Sequence, residues 1–512
     1  MLGGDYLDEA NGVRPVINLR ADVLYSSGNG TENNPYVVEL NNSSSSSGSC
    51  QSGDTLSNCL IYADYGDRDY TAATTAIKNK ARRDFSKAAT TDEGLHARPD
   101  YSSVSSTSLD GTSYYYRGAV PDNWVSFAGF LWRVVRINGD GSVRMIYSGS
   151  MDSSHTGTDA QLGPSVYNRS NNDRIYVGYT YKLVTGSSVT GTVYSDSTVK
   201  EYIDRWYENN LKTNYEGYLA NEIFCNDRSF THTTTSTYWY FGAYKRLVDS
   251  YSETSGINPR LSCDQLDRYT LKVSGDSSIK GIDGAGNNEL NYPVGLLTAD
   301  EASLAGGIIE ASSTHKNYLY TGQGYWLGSP SRYSETVRAQ MFTMSRLGNL
   351  NYTGIVVGAT TYGIRPVINL KSSVLYDGGN GTESNPYTVK PEQAVISAPT
   401  VVKTPSSCLA GYTPCLVSFN VSLSSSISNC SGTLTGTAKG VKFLTSKNDS
   451  GTTTKTFSVT PGKTINVQTG AACDQSGTII FNFTPSDSNA CSAAEPITVQ
   501  VQYGANSCGF GI

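Results

Sequence analysis

Charge is scarce in this sequence. Asp, Glu, Lys and Arg make up 16% of its 512 residues, and the formal net charge is −6. A nucleic-acid binder needs a basic face to neutralise phosphates, and this composition offers none. Histidine is scarcer still, at His96, His155, His232 and His315. None of the ten cysteines stands in a C-x-x-C pair, so the donor spacing of a zinc site is missing. No metal and no cofactor is expected. No run of about 18 apolar residues occurs, so no transmembrane segment is expected. The opening "MLGGDYLDEANG" has neither the basic start nor the apolar core of a signal peptide. There is no G-x-S-x-G, H-E-x-x-H, Walker or Rossmann fingerprint.

What the chain does have is 36 Tyr and 51 Gly, with long runs of Ser, Thr and Asn. That vocabulary belongs to adaptable binding surfaces and equally to exposed β-rich surface proteins. The cysteines are even in number. Cys50 and Cys59 flank a short early segment, and Cys225 and Cys263 lie mid-chain. Cys408, Cys415, Cys430, Cys473, Cys491 and Cys508 cluster after residue 400. Disulfides in an oxidising compartment fit these cysteines better than free thiols do. An extracellular or cell-surface location follows as an expectation.

A repeat organises the chain. "GVRPVINLRADVLYSSGNGTENNPY" begins at Gly12, and "GIRPVINLKSSVLYDGGNGTESNPY" begins at Gly363, an offset of 363 − 12 = 351 residues. Of the 27 residues from Gly12 to Val38, 19 match. Residues 1–41 are therefore expected to be the C-terminal remnant of a preceding repeat module, and the export signal is expected to have been lost with that module's body. Strand addition to a neighbouring chain is the alternative. Residues 42–49 are a Ser-rich linker. Residues 50–392 form one large module, and a Pro-containing stretch leads into residues 393–512.

The last part reads as β throughout. "LVSFNVSL", "TIIFNFT" and "ITVQVQY" alternate apolar and polar residues, and "FSVTPGKTINVQT" reads as two strands around a Pro-Gly turn. Several short strands at this spacing predict a disulfide-rich β-sandwich of immunoglobulin-like type, with bridge pairing open. The large module mixes classes. "WVSFAGFLWRVVRINGDGSVRMIYSG" reads as antiparallel strands with a tight turn at Asn138–Gly141. "STVKEYIDRWYENNL" has helical periodicity, with Thr198 and Glu201 as a capping box. "TADEASLAGG" is a short helix capped by Thr298 and answered by Glu301. The place of Asp300 and Glu301 in its first turn is explained by capping and the helix dipole. Four strand-like segments then follow between Tyr318 and Leu370.

The ordered set "YYYRGAVPDNWVSFAGFLWRVVRINGDGSVRMIYSG", "IFCNDRSF", "YPVGLLTADEASLAGG", "GYWLGSP" and "YGIRPVINL" resembles a family of uncharacterised bacterial surface modules. The tail of the module is similar to the C-type-lectin-like fold in its formylglycine-generating-enzyme branch. That resemblance implies an α+β fold: a mixed module of antiparallel strands and a few helices, followed by the all-β immunoglobulin-like domain. It does not imply the enzyme chemistry, because no Cys lies between Cys263 and Leu370. Nor do residues 318–363 carry the acid-Pro-Asn triplet of calcium-dependent lectins. Cys225 and Cys263 are expected to close a polar loop as a structural disulfide.

The same fold is used by binders that vary their last strands and loops. Trp326, Arg332, Tyr333, Arg338, Arg346, Asn349, Asn351 and Tyr352 are accordingly the candidate ligand face, since Arg and Tyr join area to a polar handle. The expected function is a secreted, non-catalytic adhesin that binds protein or glycan on a cell surface, with the β-sandwich as stalk. Self-association in a surface layer or filament is one alternative, and a hydrolase acting on surface glycan or peptide another.

Overall fold

The computed structural model describes residues 23–27, 31, 37–40, 50–99, 111–183, 193–231, 237–248, 256–261, 268–271, 289–309, 312–353, 355–359, 361–391, 394–403, 415–425, 430–446, 449–471, 476–486, 491 and 493–502. Strands dominate, helices are few, and the strands form several sheets. No helix among the described residues is long and apolar enough to cross a membrane.

Strands β1 (Val23–Ser27) and β2 (Val37–Leu40) form an antiparallel hairpin. Helices α1 (Leu56–Tyr65) and α2 (Tyr70–Lys78) follow. Thr55 caps α1 by accepting from the Asn58 amide, and Asp69 caps α2 by accepting from the Ala72 amide. A Cys50–Cys59 disulfide pins the start of α1.

The large sheet comes next. It contains β3 (Asp92–Pro99), β4 (Thr112–Gly118), β5 (Trp124–Phe127), β6 (Phe130–Ile137) and β7 (Val143–Ser150). The tight turn falls at Asn138–Gly141, where the Gly141 amide donates to the Asn138 carbonyl at 2.9 Å. All seven residues of β4 are buried, so both faces of the sheet are covered at this strand. A strand covered on both faces shows no polar/apolar alternation.

Strand β8 (Leu162–Ser165) is followed by helix α3 (Thr198–Asn210). Its cap is Ser197, one residue before the expected Thr198, and the Ser197 side chain accepts from the Lys200 amide. The capping box with Glu201 does not form, because Lys200 occupies the third helical position. Helix α4 (Ala299–Leu304) does carry its box, with Thr298 and Glu301 bonded reciprocally.

The final strands of the large region are shorter than their apolar patterns. They are β9 (Tyr325–Pro330), β10 (Met341–Met344), β11 (Leu350–Asn351), β12 (Tyr362–Ile364), β13 (Val367–Leu370), β14 (Leu375–Gly378) and β15 (Tyr387–Lys390). Strands β11-β10-β9-β12-β8 make a five-stranded sheet, while the large sheet runs β13-β7-β6-β5-β15-β14. The chain changes sheets at Arg365–Pro366. Pro366 donates no ladder bond, and its carbonyl accepts from the Tyr147 amide at 2.8 Å. "RPVINL" thus begins an edge strand of the large sheet.

Ions lie inside this region. Glu301 is paired with Arg136 at 3.3 Å and Arg144 at 3.1 Å. Arg246 reaches both carboxylate oxygens of Asp300 at 2.8 Å. Arg365 donates to the Tyr147 and Leu319 carbonyls at 2.8 and 3.1 Å. Burial pushes the Arg133 guanidinium down to about 9.

The C-terminal strands are β16 (Val395–Ser397), β17 (Val401–Lys403), β18 (Cys415–Ser424), β19 (Gly432–Lys439), β20 (Lys442–Phe443), β21 (Thr454–Val459), β22 (Thr464–Ala471), β23 (Gly477–Pro485) and β24 (Ile497–Gln502). They form two sheets, β16-β18-β22-β20 and β17-β24-β23-β19-β21. The Pro-Gly turn between β21 and β22 carries the chain from one sheet to the other. Inward residues of both sheets, among them Val417, Phe419, Val421, Leu434, Phe481 and Val499, share one core. A Cys430–Cys491 disulfide, with Cα atoms 5.4 Å apart, is buried in that core. Cys225 is also disulfide-bonded. Cys415 begins β18, while Cys263, Cys408, Cys473 and Cys508 lie outside the described residues.

Candidate functional site

A cleft of about 800 Å³ runs across one end of the five-stranded sheet. Its lining comes from three strands of that sheet and from the residues flanking the other two. Pro164 comes from β8, Gly324 lies just before β9, Ser345 and Arg346 just after β10, Asn351 from β11, and Tyr362 and Gly363 from β12. Thr158, Gln161, Gln323 and Thr361 add polar groups from the flanking loops.

Two glycines shape the floor. A Cβ at Gly324 would fall 2.5 Å from the Tyr362 ring, and one at Gly363 would fall 2.0 Å from the Gln161 side chain. Their absence lets that ring and that amide lie close against the sheet. Tyr362 is held by Trp326, whose ring centroid is 5.2 Å away. Burial pushes the Tyr362 hydroxyl above its usual range, so it stays protonated at neutral pH.

The eight candidate residues do not share one face. Arg346, Asn351 and Tyr352 line the cleft. Arg346 is exposed on the turn between β10 and β11, closed by the Gly348 amide donating to the Ser345 carbonyl at 3.1 Å. Trp326 is 1% exposed, and its indole donates to the Ser165 carbonyl at 2.8 Å. It is a core prop behind Tyr362 rather than a surface anchor, because β9 is covered on both faces. Asn349 is also buried. Its amide donates to the Ser313 carbonyl at 2.6 Å, which fixes the turn.

Arg332 and Tyr333 form a short strand that pairs with Trp239–Phe241 in a different sheet. The Arg332 guanidinium sits over the Tyr238 ring, and the buried Tyr333 hydroxyl donates to the Asn172 carbonyl at 3.0 Å. Arg338 is exposed with φ 65°, in the left-handed region. These three do not line the cleft.

Sequence reasoning missed Gln161, Gln323 and Tyr362. A tyrosine next to the repeated "GIRPVINL" was the one local signal for Tyr362. Gln161 is almost two hundred residues from Arg346, so no spacing rule reaches it.

The cleft offers amides, hydroxyls, two tyrosine rings, one cation and an apolar patch from Ile309, Leu347 and Leu350. Among its described lining residues Arg346 is the only charged side chain, and none is Asp, Glu, His or Cys. Such a lining can hydrogen-bond, stack and pair with one anion. Among the described residues, no three His, Cys, Asp or Glu side chains converge as a metal site. No family model matches the chain, and no curated protein matches it.

Proposed function

We propose that this is an extracellular binding or adhesion protein whose ligand site is the cleft on the five-stranded sheet. One observation carries the reading: a single cleft at one end of the five-stranded sheet sets amides, hydroxyls, two tyrosines and a lone arginine around the apolar side chains of Ile309, Leu347 and Leu350. Large polar side chains with aromatic faces are the usual material of recognition surfaces. The ligand is a protein or glycan on a cell surface. The disulfides are compatible with an oxidising location. The resemblance of the final strands to the C-type-lectin-like fold supports the same site, and the two-sheet C-terminal region suits an immunoglobulin-like stalk.

The test is an array of glycans and surface proteins probed with the full chain. Binding is expected, and Arg346→Ala with Asn351→Ala is expected to weaken it at least tenfold with the melting temperature retained. Arg338→Ala lies away from the cleft and leaves binding unchanged. Equal binding by all three proteins would place the ligand elsewhere.

A further inference from the structure

The start of the chain and the end of the large region build the same hairpin. In the first, Leu24 lies opposite Glu39, Tyr25 opposite Val38 and Ser27 opposite Val37, with a bulge between Tyr25 and Ser27. In the second, Leu375 lies opposite Lys390, Tyr376 opposite Val389 and Gly378 opposite Thr388, with a bulge between Tyr376 and Gly378. The 351-residue offset converts these three pairs of the first hairpin into the three of the second; the first has one more, Val23 opposite Leu40. A one-residue slip in either would have changed the faces presented, so shared register means shared design.

The second hairpin closes the large sheet. β15 lies parallel to β5, with Tyr387 opposite Val125 and Thr388 opposite Ser126. The Trp124 amide donates to the Gly381 carbonyl at 2.8 Å. Gly381 has φ +80°, and a Cβ there would fall 2.1 Å from the Asp122 carbonyl oxygen. Tyr387 is buried in the core, and Glu383 meets the His155 ring at 3.0 Å. β2, in contrast, pairs only with β1 among the described residues.

The first copy keeps the residues that dock the second. Gly30, Glu32 and Tyr36 stand at the positions of Gly381, Glu383 and Tyr387. From Gly12 to Val38, 27 − 19 = 8 positions differ. Seven of those differences fall where the second copy is wholly or partly exposed, and the eighth exchanges Val13 for the buried Ile364. A segment serving only as a tether would have no reason to keep the buried half of the pattern.

We propose that residues 12–40 are a docking element for a module body of the same kind as β4–β7, one whose own closing hairpin is displaced or missing. β2 adds in parallel to the strand equivalent to β5, with ladder hydrogen bonds supplying affinity and Tyr36 filling the pocket that Tyr387 fills here. The contact is head-to-tail, so bodies joined this way form strings rather than closed pairs unless the rotation closes. The inference is independent of the ligand cleft.

The test uses the full chain. Gly381→Val with Tyr387→Ala disables the resident hairpin and vacates its place for the N-terminal copy, from the same chain or a neighbour. All five tryptophans lie between residues 124 and 326, so their fluorescence reports this region alone. The disabled chain is expected to keep a cooperative melt. Adding Gly30→Val and Tyr36→Ala is expected to lower its melting temperature further, by on the order of 10 °C. The same N-terminal pair in the otherwise unaltered chain leaves the melt unchanged. Equal melting of the disabled chain with and without the N-terminal substitutions overturns the proposal. Should the disabled chain not fold, Gly381→Ala is the milder background. There, Val37→Cys with Ser126→Cys is expected to yield a disulfide-linked pair of peptides in a non-reducing digest, lost on adding Tyr36→Ala. Absence of the linked peptides also overturns it, and a non-reducing gel separates docking within one chain from docking between two.

Discussion

In the large region guanidinium groups sit where the C-terminal region has methyl groups. Arg117, Arg136, Arg144 and Arg365 are each 1–2% exposed, whereas Thr469 is the one buried polar side chain described after residue 394. The C-terminal strands are wet on one face, as in the buried-exposed alternation of Gly432–Lys439, and put their polar residues there. Strands β4, β6 and β7 are covered on both sides, so the polar residues they carry are enclosed. An enclosed charge is tolerated only with its partner in place. The large region therefore depends on named pairs, and the C-terminal region on apolar alternation and a covalent staple.

The largest test of that contrast is Glu301→Ala. It leaves Arg136 and Arg144 without their shared carboxylate and removes half of the α4 capping box. Loss of about 3–5 kcal/mol is expected, read from denaturant unfolding by tryptophan fluorescence. A loss below about 0.5 kcal/mol would break the comparison, since ordinary surface substitutions reach that much. The staple comes next. Cys430 and Cys491 are 61 residues apart in sequence, and Cys50 and Cys59 only 9. The chain-entropy relation gives about 4 kcal/mol for replacing the first pair with alanines and about 2.5 for the second. Calorimetry of the two double variants checks the order.

The same contrast explains what could be read in advance. "LVSFNVSL" directs Val417, Phe419, Val421 and Leu423 inward because one face of β18 meets solvent. The Thr298–Glu301 box was legible because both partners lie within one helical turn. Its second role was not: Arg136 and Arg144 are more than 150 residues away, and no local pattern announces an ion pair across that distance. Trp326 failed for a related reason. The glycines on either side of "YWL" serve close packing with distant residues, Gly324 against the Tyr362 ring and Gly328 against the Tyr179 hydroxyl. The cleft was half visible, through Arg346, Asn351 and Tyr352, because one short segment supplies those three.

Acid sharpens the contrast further, because two buried glutamates of the large region respond with opposite sign. Burial disfavours the charged form of Glu301, but Arg144 and Arg136 outweigh it and hold the carboxyl below its usual range. Its contribution is present above the unfolded value and is lost as pH falls through the folded one, below about pH 4. Burial, reinforced by Asp140, pushes Glu222 well above its usual range. Its cost is present above its folded pKa and disappears as pH falls to the unfolded value. Glu222→Gln is therefore expected to raise the melting temperature at pH 7 and to leave it unchanged near pH 4. A variant less stable than the parent at pH 7 would show that the Glu222 carboxylate is a favourable partner in the charge cluster.

The smallest effect expected lies at the exception in the other core. Thr469 sits on β22 opposite Val417 and Phe443, and its hydroxyl has no hydrogen-bond partner among the described residues. Thr469→Val keeps the shape and removes the stranded hydroxyl. Such a change recovers part of a desolvation penalty, so stabilisation of about 0.5–1 kcal/mol is expected. Tryptophan cannot report it, because none lies in this region, and calorimetry is the measurement. If the valine variant is destabilised by a similar amount, the hydroxyl has a partner and the C-terminal core is less purely apolar than its alternation implies.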